Sequence, residues 1–385
     1  ERIKIEKKIK LLLKEYFELQ EPVFNSQVDR LPLSVSPYNG DDVSEALESL
    51  LKGWPTIGQK VRQVEDEIAN MIGVKNAIMV NSGSSALMLA TNVLNFKKGD
   101  EIITPCLNFG TAVSSIILSG ATPILIDVDA NTLQIDVNKI QKKITKKTKG
   151  IIVPNLIGNV PDWRKIKILA KKYKLKIIED SADTLGAKIN NKPTGIYSDI
   201  SITSFYGSHV ISCAGNGGIL LTNNKDYFSK AKVLRSWGRM STLIKDSENI
   251  NKRLGIKLRG FNYDRKFVFS EAGYNFEPSE VGASFGIEQL KKFKSFSILR
   301  NRNFKLHYDF FKKLDKYFIV PKVNKNIKTN FLAYPVILKN NLKFSRKDFQ
   351  VYLEKNKIQT RPIFTGNTLR HPAFRSLVSN KNKLN

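Results

Sequence analysis

The chain has two cysteines, Cys106 and Cys213, and three histidines in 385 residues. Two thiols build neither a disulfide framework nor a cysteine-ligated cluster, so no metal centre is expected. No uninterrupted apolar run approaches the roughly 18 residues that a membrane span needs. The first residues, Glu1 to Lys14, are charged and lack the apolar core of a secretion signal. A cytoplasmic location with no membrane contact is the expectation. The chain opens on Glu rather than Met, so the expected true start lies upstream. Acidic residues are also few: 35 Asp and Glu stand against 63 Lys and Arg, a net charge of +28. Such a surplus raises nucleic acid as a partner. The lysines are scattered, however, and neither a zinc-finger spacing nor a ribonucleoprotein aromatic motif is present. A solvated basic surface without nucleic acid is the expectation.

What is present is a long alternation of apolar strands and amphipathic helices. Residues 1–20 carry apolar side chains at near-helical spacing (Ile3, Ile5, Ile9, Leu12, Leu13, Tyr16, Phe17), which predicts an N-terminal helix packed on the body or on a partner subunit. Asp41 and Asp42 precede a second helical pattern as expected caps. A third helix spans Val61 to Ile72. Strands are expected at 77–80, 101–104, 123–128, 150–154, 176–179 and 219–222, with helices at 86–93, 111–118, 140–144 and 163–173 between them. This alternation argues an α/β fold with a mainly parallel, doubly wound sheet. The basic stretch Asp246 to Phe269 has no clear period and reads as a surface loop or short hairpin. A long helix follows from Val281 toward Phe311, then a strand at 331–338, a helix at 346–354, a strand at 359–364 and a polar end at 379–385.

In such sheets ligands sit past the carboxyl ends of the strands. Gly83, Phe109, Asp180 and His209 each lie just past an expected strand end. Asn81-Ser82-Gly83-Ser84-Ser85 feeds a strand into a helix, an arrangement whose free N–H groups suit a phosphate. A plain N-capped helix is the alternative. Asp180 can keep a pyridine nitrogen protonated or simply cap the next helix. Phe109 can stack on a ring or merely pack, and His209 can be a base or a hydrogen-bonded structural residue. Taken together these are the parts of a pyridoxal-phosphate site, in which a lysine usually completes the set.

Five stretches carry a specific resemblance: GWPTIG (53–58), NSGSSAL (81–87), IIEDSADTLGA (177–187), residues 204–218 and GYNFEPSEV (273–281). Together they resemble the DegT/DnrJ/EryC1/StrS sugar aminotransferases, over about Leu31 to Phe374. The resemblance implies an aspartate-aminotransferase-like fold (PLP fold type I), with a helical arm at 1–30, a large cofactor-binding domain at 31–290 and a smaller α+β domain at 291–385. That family's closing segment has no counterpart after Asn385, which implies a truncated chain. One branch carries histidine in place of the Schiff-base lysine, and His209 falls at that position. The branch contains 3-dehydrases of nucleotide-linked 4-keto-6-deoxyhexoses, and the GDP-sugar enzyme of colitose synthesis is the nearest likeness. Asp183, where ordinary aminotransferases of the family have Gln, and the string RPIFTGN (361–367) support that branch.

Carried over by resemblance, Gly83 and Ser84 clasp the cofactor phosphate and Ser204 contacts it. Phe109 stacks on the ring, Asp180 meets the pyridine nitrogen and Asp183 lies near the ring hydroxyl. Asn275 reaches the phosphate of a second subunit, which implies a homodimer with shared sites. Arg361 is a candidate for a substrate anion, with a surface salt bridge as its alternative. The implied cofactor is pyridoxal or pyridoxamine 5'-phosphate. The implied partners are a nucleotide-diphospho-sugar, which the basic surface would help to steer, and glutamate as amino donor. The CDP-sugar relative carries a cysteine-rich loop for an iron–sulfur cluster. The corresponding stretch here, Gly238 to Phe269, has no cysteine, so no such cluster is expected. Asn216 departs from the family's usual Asp or Glu. Three readings stay open: a 3-dehydrase, an aminotransferase using another lysine such as Lys188 or Lys192, and a silent cofactor-binding relative.

Overall fold

The computed structural model describes residues 1–19, 24–35, 37–324 and 326–377. The expected polar end at 379–385 lies outside these. The chain opens with three helices, α1 (Arg2–Leu19), α2 (Gly40–Leu51) and α3 (Gln59–Ile72). The cap of α2 is Asn39, not Asp41 or Asp42: the Asn39 side chain accepts from the helix's first turn, while Asp42 accepts back from the Asn39 N–H. Both aspartates therefore sit inside the first turn, where their charge favours the helix N-terminus.

Strand and helix then alternate: β1 (Asn76–Val80), α4 (Gly83–Val93), β2 (Glu101–Pro105), α5 (Gly110–Leu118), β3 (Thr122–Ile126), α6 (Val137–Lys143), β4 (Thr148–Pro154), α7 (Trp163–Tyr173) and β5 (Lys176–Asp180). A small hairpin, β6 (Lys188–Ile189) and β7 (Lys192–Pro193), precedes β8 (Ile200–Ser204) and β9 (Gly218–Thr222). Seven strands form one sheet in the order β1-β9-β8-β5-β4-β2-β3. Only β9 runs against its neighbours in that sheet. Central strands covered on both faces must be apolar throughout. Accordingly Ile178 and Ile152 pack among the helices of one face, while Ile177, Ile151 and Trp163 pack on the other. The parallel strands point their carboxyl ends to a single edge, and that edge carries the candidate site.

Beyond β9 come α8 (Lys225–Arg235), the single turn α9 (Ile250–Arg253) and the hairpin β10 (Ile256–Leu258) with β11 (Phe261–Tyr263). The non-periodic stretch is thus a hairpin insertion with short helical turns. Helix α10 (Glu280–Lys312) then runs 33 residues without a break. Its first turn locks the N-terminal helices in place. The Glu280 carboxylate accepts from the N–H groups of Gly58, Lys60 and Val61, at 2.8, 2.7 and 3.1 Å. The remainder holds β12 (Phe318–Ile319), β13 (Ile327–Lys328), β14 (Ile337–Leu338) and α11 (Arg346–Lys355). β13 does not stay with the C-terminal elements; it extends the β6–β7 hairpin.

Two expected strands are absent. At 331–338 only Ile337 and Leu338 pair. The preceding backbone is spent elsewhere: Leu332 N–H donates to Ile157 O, and the Phe331 and Leu332 carbonyls accept from Arg300. At 359–364 only Gln359 bonds toward Leu31, next to the single Leu31–Ile358 bridge, and the chain then turns through Pro362 to Gly366 onto the loop after β2. Apolar composition suggested strands there, but the hydrogen bonds go to irregular partners.

Candidate functional site

Two close backbone approaches shape the edge. Ser82 caps α4, its hydroxyl accepting from Ser85 N–H at 3.0 Å. The Gly83 and Ser84 N–H groups then point out along the helix axis, where an anion would sit. A Cβ on Gly83 would lie 2.6 Å from Cβ of Ser204, so only glycine lets the end of β8 come alongside. A Cβ on Gly218 would lie 2.4 Å from the Ser82 carbonyl group. The two glycine-rich motifs are therefore pressed against each other, with the Ser204 hydroxyl beside Gly83.

Asp180 ends β5, paired with Pro154 of β4 and Ile202 of β8. Its carboxylate is buried and accepts from Ala182 N–H at 3.1 Å. Burial pushes its pKa up to about 6; the Ala182 hydrogen bond opposes this and the charge of Glu179 adds to it. Asp183 is also buried, accepting from Ile157 N–H at 2.8 Å. Burial lifts it to about 7, against the Ile157 bond and with a push from Asp180. Ile157 holds a left-handed backbone, φ 58°, a conformation that costs a branched residue energy and that the bond to Asp183 helps to stabilise. Behind Asp180, Glu179 is buried, and Asn155 Nδ2 and the Ser181 hydroxyl donate to its Oε1 at 2.7 and 2.8 Å. Among the described residues no cation pairs with either of the two edge acids. Such acids await a cation or proton donor from outside the chain.

His209 lies on the turn after β8, with its N–H bonded to Tyr206 O and its ring facing Tyr206 edge-on at 6.0 Å. Its Nδ1 is buried without a hydrogen-bond partner. Burial pulls the imidazole pKa down to about 4; a backbone hydrogen bond with Ser204 opposes this, and the Arg300 guanidinium adds to it. The ring is therefore neutral across the physiological range, with a lone pair available.

Phe109 caps α5 and is half exposed, its ring meeting Phe364 edge-on at 5.9 Å. The string at 361–367 thus reaches the site loop. Thr365 donates through both N–H and hydroxyl to Asn108 O, at 2.8 and 2.9 Å. Arg361 itself is exposed beside α11 and donates to Thr360 O at 2.8 Å, with no ion pair among the described residues. Asn275 is exposed; its backbone carbonyl accepts from the side chain of Asn81, two residues before Gly83, at 3.4 Å. Asn216 is exposed in the glycine-rich bend. Lys188 and Lys192 lie in the three-stranded sheet of β13, β6 and β7, not on the edge. Cys106 and Cys213 are buried free thiols, and among the described residues no group of three acidic, His or Cys side chains is arranged to hold a metal ion.

Sequence reasoning missed Arg300 and Asn330. Arg300 donates to His209 O at 3.1 Å across 91 residues, and Asn330 donates to Leu185 O at 2.7 Å across 145. Both tie the site loops to the C-terminal elements. Contacts over such separations leave no local signal.

Residues 38–385 match the description of the DegT/DnrJ/EryC1/StrS aminotransferase family. The chain belongs to that family. It is 30% identical over 355 residues to the lipopolysaccharide biosynthesis protein RfbH of Salmonella typhimurium, covering 89% of this chain and 81% of that one. It is 32% identical over 349 residues to the GDP-4-keto-6-deoxy-D-mannose 3-dehydratase of Escherichia coli O55:H7, covering 88% and 87%. A solved GDP-4-keto-6-deoxymannose-3-dehydratase with a trapped PLP–glutamate geminal diamine superposes with a TM-score of 0.80 at 30% identity, covering 90% of this chain and 89% of that one. The family fold agrees with the aspartate-aminotransferase-like architecture expected from the motifs. Among the described residues no helix is long and apolar enough to cross a membrane.

Proposed function

We propose that this family member is a sugar 3-dehydrase. In this reading it uses pyridoxamine 5'-phosphate to remove the C3 hydroxyl of a nucleotide-linked 4-keto-6-deoxyhexose, and glutamate restores the pyridoxamine form. One observation carries the reading: the turn after β8 bears an imidazole, His209, whose Nδ1 is buried and unpartnered. An imidazole has no primary amine with which to hold a carbonyl cofactor covalently, but it moves protons well.

The residues present fit the cofactor. The Gly83 and Ser84 N–H groups and the Ser204 hydroxyl would hold its phosphate, and the exposed face of Phe109 would cover its ring. Asp180, raised to about 6 by burial, becomes a firm anion once a cationic ring nitrogen is beside it. Asp183 would meet the ring hydroxyl. When bound, the cofactor supplies an amine for the sugar's keto carbon and a ring that accepts an electron pair. His209, neutral in the folded chain, would accept a proton there, and the resulting imidazolium would return one to the departing hydroxyl. Asn275, exposed on its own subunit, would reach the phosphate of a second subunit in a homodimer. A cytoplasmic enzyme of surface-polysaccharide synthesis is part of the same reading.

The test is incubation with GDP- and CDP-4-keto-6-deoxyhexoses, pyridoxal phosphate and glutamate, followed by mass. Loss of water with nitrogen released is expected; an amino sugar would indicate a transaminase instead. His209→Lys should abolish dehydration and let borohydride fix the cofactor to the protein. A lysine variant that dehydrates as well as the wild type would contradict the assignment.

A further inference from the structure

Helix α1 precedes the family-matched region. One of its faces is spent on the body: Glu6, Ile9, Lys10, Leu13 and Phe17 are half-buried. Lys10 pairs with Glu48 at 2.5 Å, Lys14 pairs with Asp41 at 2.8 Å, and Phe17 meets Tyr38 edge-on at 5.7 Å. The backbone at Leu13 and Lys14 lies 2.9 Å from where a Cβ on Gly40 would sit.

A second line of apolar side chains faces water on a different side. Ile5, Leu12 and Tyr16 are 53%, 52% and 52% exposed, and Leu19 is 87% exposed. With half-buried Ile9, at the border of the two faces, they recur at steps of four and three residues, the spacing of a coiled-coil seam. Ile3 and Leu11 are exposed as well but lie off this line. Beside the seam stand Lys8 and Glu15, both exposed. The ion pairs of α1 use Arg2, Glu6, Lys10 and Lys14 instead.

We propose that this seam pairs antiparallel with the same seam on a second copy of the chain. Charge complementarity selects both the occupant and the direction. An antiparallel two-fold pair sets Ile9 against Leu12 and Ile5 against Tyr16 of the second copy, and brings Lys8 beside Glu15 twice. A parallel pair sets Lys8 beside Leu13 and loses both ion pairs. The seam is thus complementary to itself, as a two-fold contact requires. The contact is independent of the cofactor edge and adds to any subunit contact made there.

Sedimentation of the full chain tests this. The wild type should have about twice the mass of Leu12→Glu at equal concentration. Circular dichroism and the unfolding midpoint should match between the two, because the side chain is exposed. Lys8→Glu and Glu15→Lys should each weaken association, by roughly tenfold or less for exposed charges. The combined Lys8→Glu/Glu15→Lys variant should regain the wild-type mass at low salt. An unchanged mass in Leu12→Glu, a fall in mass that comes with lost helix content, or a double variant that stays dissociated would overturn the proposal. So would wild-type chain that keeps the variant's mass but binds anionic phospholipid vesicles, which would give the seam to a lipid surface.

Discussion

Acidifying the cofactor-free protein loads the wild type with a cost that His209→Asn escapes. The imidazole sits at about 4 in the folded chain, against roughly 6.5 unfolded. The unfolded chain therefore binds the proton more tightly. The stability contribution is complete above about pH 6.5 and is lost as pH falls through that value toward about 4. Between about pH 7 and pH 5 the loss comes to about 2 kcal/mol. Asp180 and Asp183 work in the opposite sense. Their folded values of about 6 and about 7 exceed the unfolded carboxylate range, so they add stability as pH falls. Both acids remain in the variant, so their contribution cancels in the comparison. Urea unfolding of the two proteins at both pH values gives the difference, which should narrow by about 2 kcal/mol against the wild type on acidification. Proton NMR reads the group directly, since the chain has three histidines. The imidazole resonance missing from His209→Asn should titrate near 4. A midpoint at or above the ordinary histidine value, or a wild-type/variant difference that ignores pH, would refute the neutral base.

Gly83→Ala drives a Cβ to 2.6 Å from the Ser204 side chain. It should cost about 1–3 kcal/mol of stability and at least about tenfold in pyridoxal phosphate affinity, read by thermal melting with and without the cofactor; unaltered binding would remove the clasp from the site. Glu280→Ala strips the acceptor from three N–H groups at the start of α3. It should destabilise by about 2–4 kcal/mol, seen as a lower melting temperature, and an unchanged midpoint would mean that water caps that helix as well.

The strands and helices of the large sheet could be read from the chain because its helices bury one face at a regular period and its strands are short continuous apolar runs. Lys176–Asp180 and Trp163–Tyr173 need only local pattern to be recognised, and a strand end followed by a small-residue turn predicts where an edge site must lie. The segments at 331–338 and 359–364 could not be read that way. Their apolar side chains pack across the molecule, and their backbone groups are satisfied by Ile157, Arg300, Leu31 and Asn108, none of them near in sequence.

The same division runs through the site. The amino-acid order alone supplied the residue types: a histidine on the turn after one strand, two acids at the end of another, a glycine–serine turn before a helix. The tertiary structure decided their state. Burial, which depends on everything packed around a group, left the imidazole neutral and both carboxyls reluctant anions. Residue type is written locally, whereas solvation and charge environment are properties of the packed whole, and no stretch of sequence contains them.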